Sequence, residues 1–445
     1  MIFVIDMPIL ASVFQTQSKI LMKNAQFTAL LAETLGIEET LYPFSVMHSS
    51  WELRYGGLRF FEVIQKTLQG FSLKFAGRNV QRSSFLEQEH LNDDLMQMPI
   101  APLLVLRAEM IPENPVLTIL RRMAIDGAQS FHIADEHGKT IGLYLMHDSE
   151  IARLNMFAQS FEEIIASFPC EELPTTTIPC SLISYQWETL SFVGKAIQES
   201  FAIFKKLWNE PVPSHVFALN MDGILIGTST TLAPGIVLDA SKGPIIIEEQ
   251  VQIMAQSFIQ GPCFIGKGSI IKAGAQIYGD TVVGPYCKIG GEVENSIIHG
   301  YSNKQHQGFL GHSYLGEWVN LGAMTTTSDL KNTYGEIDAF IRGKRVNTKR
   351  KFLGSLIGDH SKTAIGTSLS TGTVIGISSS VHDIGEFPPK DIKSFSWGTK
   401  ESLHNLDRIY ELEKACAVAD TVMKRRGKSL TTLQKTMMEQ ESSKR

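Results

Sequence analysis

The chain has 445 residues, 43% of them apolar and 20% charged, with a net charge of −5 from 41 basic and 46 acidic side chains. That balance excludes disorder, collagen and coiled coil as the main architecture, suggests two or three domains at ~150 residues each, and offers nucleic acid no basic face. The five cysteines include no CxxC pair. This argues against a disulfide scaffold or a zinc knuckle and suits a reducing, cytoplasmic setting.

The amino terminus, MIFVIDMPIL, is apolar, but Asp6 and Pro8 interrupt it well short of the ~20 residues a membrane helix needs. It reads as the first buried strand of an α/β domain. No other stretch reaches spanning length, so a soluble protein without membrane partners is expected. Over residues 1–190, β-rich segments (IFVID, PLLVLRAEM, SFHIAD, TIGLYLM) alternate with helix-like ones (LRFFEVIQKTLQG, SEIARLNMFAQSFEEIIASF). Alternation of this kind predicts a three-layer α/β domain. A helical linker is expected over 191–220.

Residues 221–385 carry a repeat. Steps of six from Ile247 reach Ile253, Ile259, Ile265, Ile271, Ile277, Val283 and Ile289, and glycine follows several of them, as in Ile265-Gly266 and Val283-Gly284. The phase returns at Leu315 and Leu321, and again at Ile357, Thr363, Leu369, Ile375 and Val381. Six-residue periodicity is the pattern of a parallel β-helix, in which each unit is one short strand and one corner, and stacked coils bury the aliphatic ladder. Helices of this class coil left-handed, so a left-handed parallel β-helix is expected. The phase is lost between Glu292 and Gly308 and again between Met324 and Leu353; segments thrown out of a rigid solenoid commonly carry function. In the last part, 386–445, FPPKDIKSFSWG reads as irregular. The tail from Lys400 reads as a helix with Ile409, Leu412, Cys416, Ala419 and Met423 on one face.

The first phase break contains NKQHQGFLGHSYLGEWVNLGA. His306 is the best candidate there for a general base, because an imidazole is ordinarily mostly neutral at pH 7 and can take a proton from an attacking amine. From His306 to Ala323 the sequence resembles the acetyltransferase half of the bifunctional N-acetylglucosamine-1-phosphate uridyltransferase/glucosamine-1-phosphate acetyltransferases. It is closer still to a divergent bacterial branch of that family, through GGEVENSII, FLGHSYLGEWVNLGA, SDLKNTYG, FLGSLIGDHSKTAIGT, FPPKDIKSFSWG and VMKRRG. The resemblance implies His306 as catalytic base, Asn320 on the sugar, Lys272 and Lys304 on the sugar phosphate, and Ala323 and Lys362 at the acetyl-CoA site. It also implies a homotrimer of β-helices. Phe309, Glu294 and Met324 depart from the family, which has a tyrosine, a lysine and a glycine there.

In the first half, LYPFSVMHSSWELRYGGLRFFEVI resembles the opening of sugar nucleotidyltransferases, although the glycine-rich run they carry after the first strand is missing. By that resemblance Glu52, Arg54 and Asn92 would bind nucleotide. The whole chain would then acetylate glucosamine 1-phosphate and join the product to UMP from UTP with Mg2+, giving UDP-N-acetylglucosamine for cell-wall precursors. Three alternatives stand beside this: an acyltransferase for another sugar, a non-enzymatic regulatory subunit, and a zinc site of the γ-carbonic-anhydrase kind. The last would use His299, His306 and His312, which are spaced near the repeat period.

Overall fold

The computed structural model describes residues 27–91, 101–127, 129–155, 158–208, 210–382, 387–398 and 409–444. The strand expected at the amino terminus and Asn92 lie outside the described residues. The chain forms two compact units. One takes residues up to Leu35, Phe61–Asn79 and His90–Leu182; the other takes Gly36–Phe60, Val80–Glu89 and Ile183 onward.

The first unit is built on a six-stranded sheet in the order Phe71–Ala76, Phe27–Ala32, Leu103–Arg107, Thr140–Leu145, Phe131–Ala134, Thr175–Thr177. The first three strands are parallel, and Thr140–Leu145 runs antiparallel to both of its neighbours. FTALLA and LLVLR are buried at every position, as continuous apolar strands covered on both faces must be. Instead of one helix, SEIARLNMFAQSFEEIIASF forms two short ones, Asp148–Ile151 and Phe161–Ala166. Ser160 starts the second by accepting a hydrogen bond from the Glu163 amide at 3.2 Å.

At the carboxyl edge of the parallel strands, where open α/β sheets hold ligands, the side chains pair with one another. Arg78 meets Glu33 at 2.9 Å, and Arg107 donates to Glu162 at 2.8 Å and to Thr34 at 2.7 Å.

The second unit is a β-solenoid with three faces. The first face stacks nine strands from Ile224–Ile226 to Asp391–Ile392. The second starts at Thr231–Leu232 and the third at Phe217–Leu219. All eight residues of the six-step series from Ile247 to Ile289 point inward and are buried, as are Leu315, Leu321, Ile357, Leu369, Ile375 and Val381.

The coil between Glu292 and Gly308 is not a break. In register, Ile277 pairs with Val293, Val283 with Ile298 and Ile289 with Lys304. The corners have shortened, and a lysine takes an inward position, which hides the period from a six-step count. The second interruption is a true insertion that carries the hairpin Asp338–Ile341/Lys344–Asn347. FPPKDIKSFSWG is also more regular than expected, because Asp391–Ile392 and Trp397–Gly398 extend the first and second faces by parallel pairing.

The outer side of the first face is apolar along Ile246, Phe264, Val282, Ile297, Tyr314 and Leu356, which lie in register. Segment Gly36–Phe60 and the helix Val193–Phe204 cover it. The Phe44 ring lies 5.8 Å from Tyr314, and Phe204 lies 5.6 Å from Phe264. A side chain on Gly57 would meet the Phe264 ring at 2.2 Å, so this close approach requires glycine. The tail has two helices, Leu412–Lys424 and Thr432–Ser442. Ala415, Ala419 and Met423 form the buried stripe of the first; Cys416 is only half-buried, and Ile409 precedes the helix and is exposed.

Candidate active site

His306 stands exposed in the turn between Asn303–Lys304 on the second face and Phe309–Gly311 on the third. Lys304 holds that turn. Its Nζ donates to the carbonyls of Gly290 at 2.8 Å, His306 at 2.7 Å and Gly308 at 2.6 Å. Burial lowers its pKa to about 8. An ammonium has three donors, and all three are taken. Lys304 therefore has no donor left for a phosphate, contrary to the role expected from sequence, and instead fixes the backbone that presents His306.

Gly308 has φ 123°, and a Cβ there would lie 2.1 Å from the Thr325 carbonyl. The turn thus stacks tightly on the next coil. There the Met324 amide donates to the Gln307 carbonyl at 2.9 Å, and the Ala323 carbonyl accepts from Gly366 at 2.8 Å. Ala323 and Met324 are therefore the neighbours of the His306 turn.

On the second face, Asn303, Asn320 and Lys362 follow one another in parallel bridges. Asn303 donates to the Asn320 side-chain oxygen at 3.3 Å, and Lys362 donates to the His360 carbonyl at 2.9 Å. Burial lowers the Lys362 pKa to about 8 as well. Lys272 lies two coils before Asn303, its Cβ 3.1 Å from where a Cβ on Gly290 of the intervening coil would stand. The sequence reading missed the tail's contribution to this face. Arg426 donates to the Tyr286 carbonyl at 2.7 Å and to Asn303 Oδ1 at 3.4 Å. VMKRRG was visible, but no repeat pattern says where a tail docks.

Of the residues that depart from the family, Phe309 is half-buried and pairs in register with Glu292; Glu294 and Met324 are exposed.

Glu52 and Arg54 do not join the α/β sheet. Both belong to the solenoid unit and both are buried. Arg54 donates to the carbonyls of His299 at 2.8 Å and Gly57 at 2.9 Å; Glu52 accepts from the Ser49 amide at 2.8 Å. This is packing against the first face. Beside them, His48 Nε2 lies 2.8 Å from Asp359 Oδ2, and its Nδ1 lies 3.3 Å from Glu52. Burial alone would lower the His48 pKa, but Asp359 and Glu52 outweigh it and hold the imidazole well above its ordinary value.

The three histidines of the zinc alternative do not converge. They occupy three different parts of one coil: His299 on the first face beside Tyr314, His306 in the exposed turn, and His312 bonded to Asp329 at 2.8 Å. Among the described residues, the grouping with ligand-like separations is His48, Glu317 and Asp359, with atoms within 4.8 Å of one another.

No family model matches the chain. It is 35% identical over 137 residues to a bifunctional sugar-1-phosphate nucleotidylyltransferase/acetyltransferase from Sulfurisphaera tokodaii, a match covering 30% of this chain and 34% of that protein. It is 34% identical over 138 residues to the bifunctional protein GlmU of Methanococcus vannielii, covering 31% and 32% of the two chains. The chain resembles bifunctional sugar-nucleotide transferases. The resemblance spans about a third of the length of these curated relatives. Among solved structures, a UDP-N-acetylglucosamine acyltransferase is 14% identical with a TM-score of 0.28, covering 53% of this chain and 89% of that one. Among the described residues, no helix is long and apolar enough to cross a membrane.

Proposed function

We propose that this chain is a cytoplasmic transferase of sugar-nucleotide synthesis, and that its solenoid moves an acetyl group from acetyl-CoA to the amine of glucosamine 1-phosphate. The observation that carries this reading is the exposed His306 turn, locked by Lys304 and stacked on the Ala323 turn. The relative from Sulfurisphaera tokodaii, named as an acetyltransferase among its two activities, supports it. His306 takes a proton from the sugar's ammonium, the freed amine attacks the thioester carbonyl, and the tetrahedral intermediate collapses by breaking the C–S bond while the amine's second proton passes to the departing sulfur, leaving the amide and CoA thiol. Asn320 orients the sugar, Lys272 takes its phosphate, and Ala323 and Lys362 lie along the CoA path. A homotrimer would place each His306 turn against a neighbouring solenoid.

That relative's name also pairs this activity with nucleotidyl transfer, here from UTP to the acetylated sugar phosphate with Mg2+. That reaction requires cations and amide donors turned toward the triphosphate. In the first unit, Arg78 and Arg107 instead meet Glu33 and Glu162 at the strand ends. Acyl transfer is therefore the reading the geometry favours.

The test is release of CoA from acetyl-CoA with glucosamine 1-phosphate, followed by pyrophosphate release after UTP and Mg2+ are added. His306→Ala should slow CoA release by roughly 10²–10⁴-fold, the range for a lost general base. A loss below about tenfold removes His306 from the mechanism.

A further inference from the structure

The second face gathers cations that, among the described residues, pair with no carboxylate. Its outward positions run from Ile270 to Lys288, Asn303, Asn320 and Lys362 in consecutive register pairs. The end of the tail helix closes on this ladder through Arg426, which uses two of its five donors on the Tyr286 carbonyl and Asn303 Oδ1. Arg425 is next to it and exposed. Lys272 lies one coil before Gly290, two residues past the strand position of Lys288.

Two cations of the same unit do meet carboxylates: Lys424 lies 2.7 Å from Asp420, and Arg342 lies 3.0 Å from Glu441. Among the described residues, none of Lys272, Lys288, Arg425 or Arg426 makes an ion pair with a carboxylate. Burial first, and then the charges of Arg426, Lys272 and Arg425, hold the Lys288 pKa below its ordinary value. Like charges gathered in one patch repel one another, so a cluster like this is explained by an anion that joins it. The third face has the opposite sign, with Glu292 and Glu294 on one strand.

We propose that Lys272, Lys288, Arg425 and Arg426 form a phosphate-ester site built jointly by the solenoid and the tail. The identity of the ester rests on the acyl-transfer reading, in which both the donor CoA and the acceptor sugar carry phosphate; the site itself does not. Arg426 is oriented by its bonds to Tyr286 and Asn303, Lys288 approaches along the ladder, and Lys272 and Arg425 complete the field.

Titration calorimetry on the full chain tests this with three probes: inorganic phosphate, CoA and glucosamine 1-phosphate. Lys288→Gln and Arg425→Gln remove charge from side chains that make no hydrogen bond among the described residues. Each should weaken phosphate binding about tenfold or more, the worth of a charge-assisted contact. A matching loss for CoA assigns the site to the donor, and a matching loss for glucosamine 1-phosphate assigns it to the acceptor. Unchanged affinities for all three probes overturn the proposal.

Should a variant fail to fold, amine labelling of the wild-type chain gives the answer without a substitution. Lys288 should be protected by one of the probes, and equal labelling with and without them overturns the site. The two readings separate cleanly. Weakened binding without CoA release would keep the anion site and remove the acyltransferase; His306-dependent CoA release with unchanged binding would do the reverse.

Discussion

Lys304 shows how one residue can serve the solenoid and the site together. It occupies a position in the aliphatic ladder, between Ile289 and Leu321, where burying an ammonium is costly unless every donor is satisfied. The three carbonyls satisfy it, and two of them belong to the turn that carries His306. Lys304→Met would fill the ladder but strand those carbonyls, so we expect a stability loss of about 2 kcal/mol in urea unfolding.

The pH dependence of that difference has a definite sign. The folded pKa of about 8 lies below the ordinary 10.5, so between these values the unfolded chain holds the extra proton and wild-type stability rises with pH. The methionine variant lacks this contribution. The gap between the two proteins should widen by about 1–2 kcal/mol from pH 8 to pH 10; a constant gap would mean that Lys304 is not buried charged. The family resemblance put Lys304 on the sugar phosphate, and the sequence does not show that its side chain turns inward.

At the scale of elements, the ladder was legible and its corners were not. Isoleucines at a strict period announce buried strands, whereas a corner that loses one or two residues shifts the count without altering the fold, as between Ile289 and Val293. Segment Gly36–Phe60 was less legible still. Its motif resembled a nucleotide-binding opening, yet its side chains clamp it to the first face through His48, Arg54 and Phe44. The link between His48 and Asp359 is a buried pair, and removing one charge from such a pair typically costs 3–5 kcal/mol. Asp359→Asn should accordingly destabilise the chain by about 3 kcal/mol and raise amide exchange within 36–60 ahead of the solenoid strands. Because the folded pKa of His48 is raised, its contribution is fully present below the ordinary value of 6.5 and is lost as pH rises through the folded pKa. Exchange in this segment should therefore accelerate on the alkaline side of that titration in the wild type and lose this step in the variant.

For the whole molecule, chain order and spatial organisation disagree. Composition and periodicity place a boundary near residue 190, where α/β alternation gives way to the linker and the repeat. The chain does pass from one compact unit to the other close by, between Leu182 and Ile183, but Gly36–Phe60 and Val80–Glu89 also belong with the solenoid. The reason is chemical. An outer face lined by Phe264, Val282, Ile297, Tyr314 and Leu356 cannot stay in water, and the residues that cover it include a stretch from early in the chain. No reading of hydrophobic period reveals this, because the period reports the inward residues, while the cover is set by what packs on the outward ones. A fragment 191–445 retains every coil but loses Phe44, His48, Trp51 and Arg54. It should expose an apolar patch of the kind monomeric proteins avoid, bind a hydrophobic dye and aggregate, whereas the full chain remains dispersed. A fragment as soluble and as stable to urea as the full chain would show that the early segment is dispensable to the solenoid, and would shift the weight of the fold to its own stacked coils.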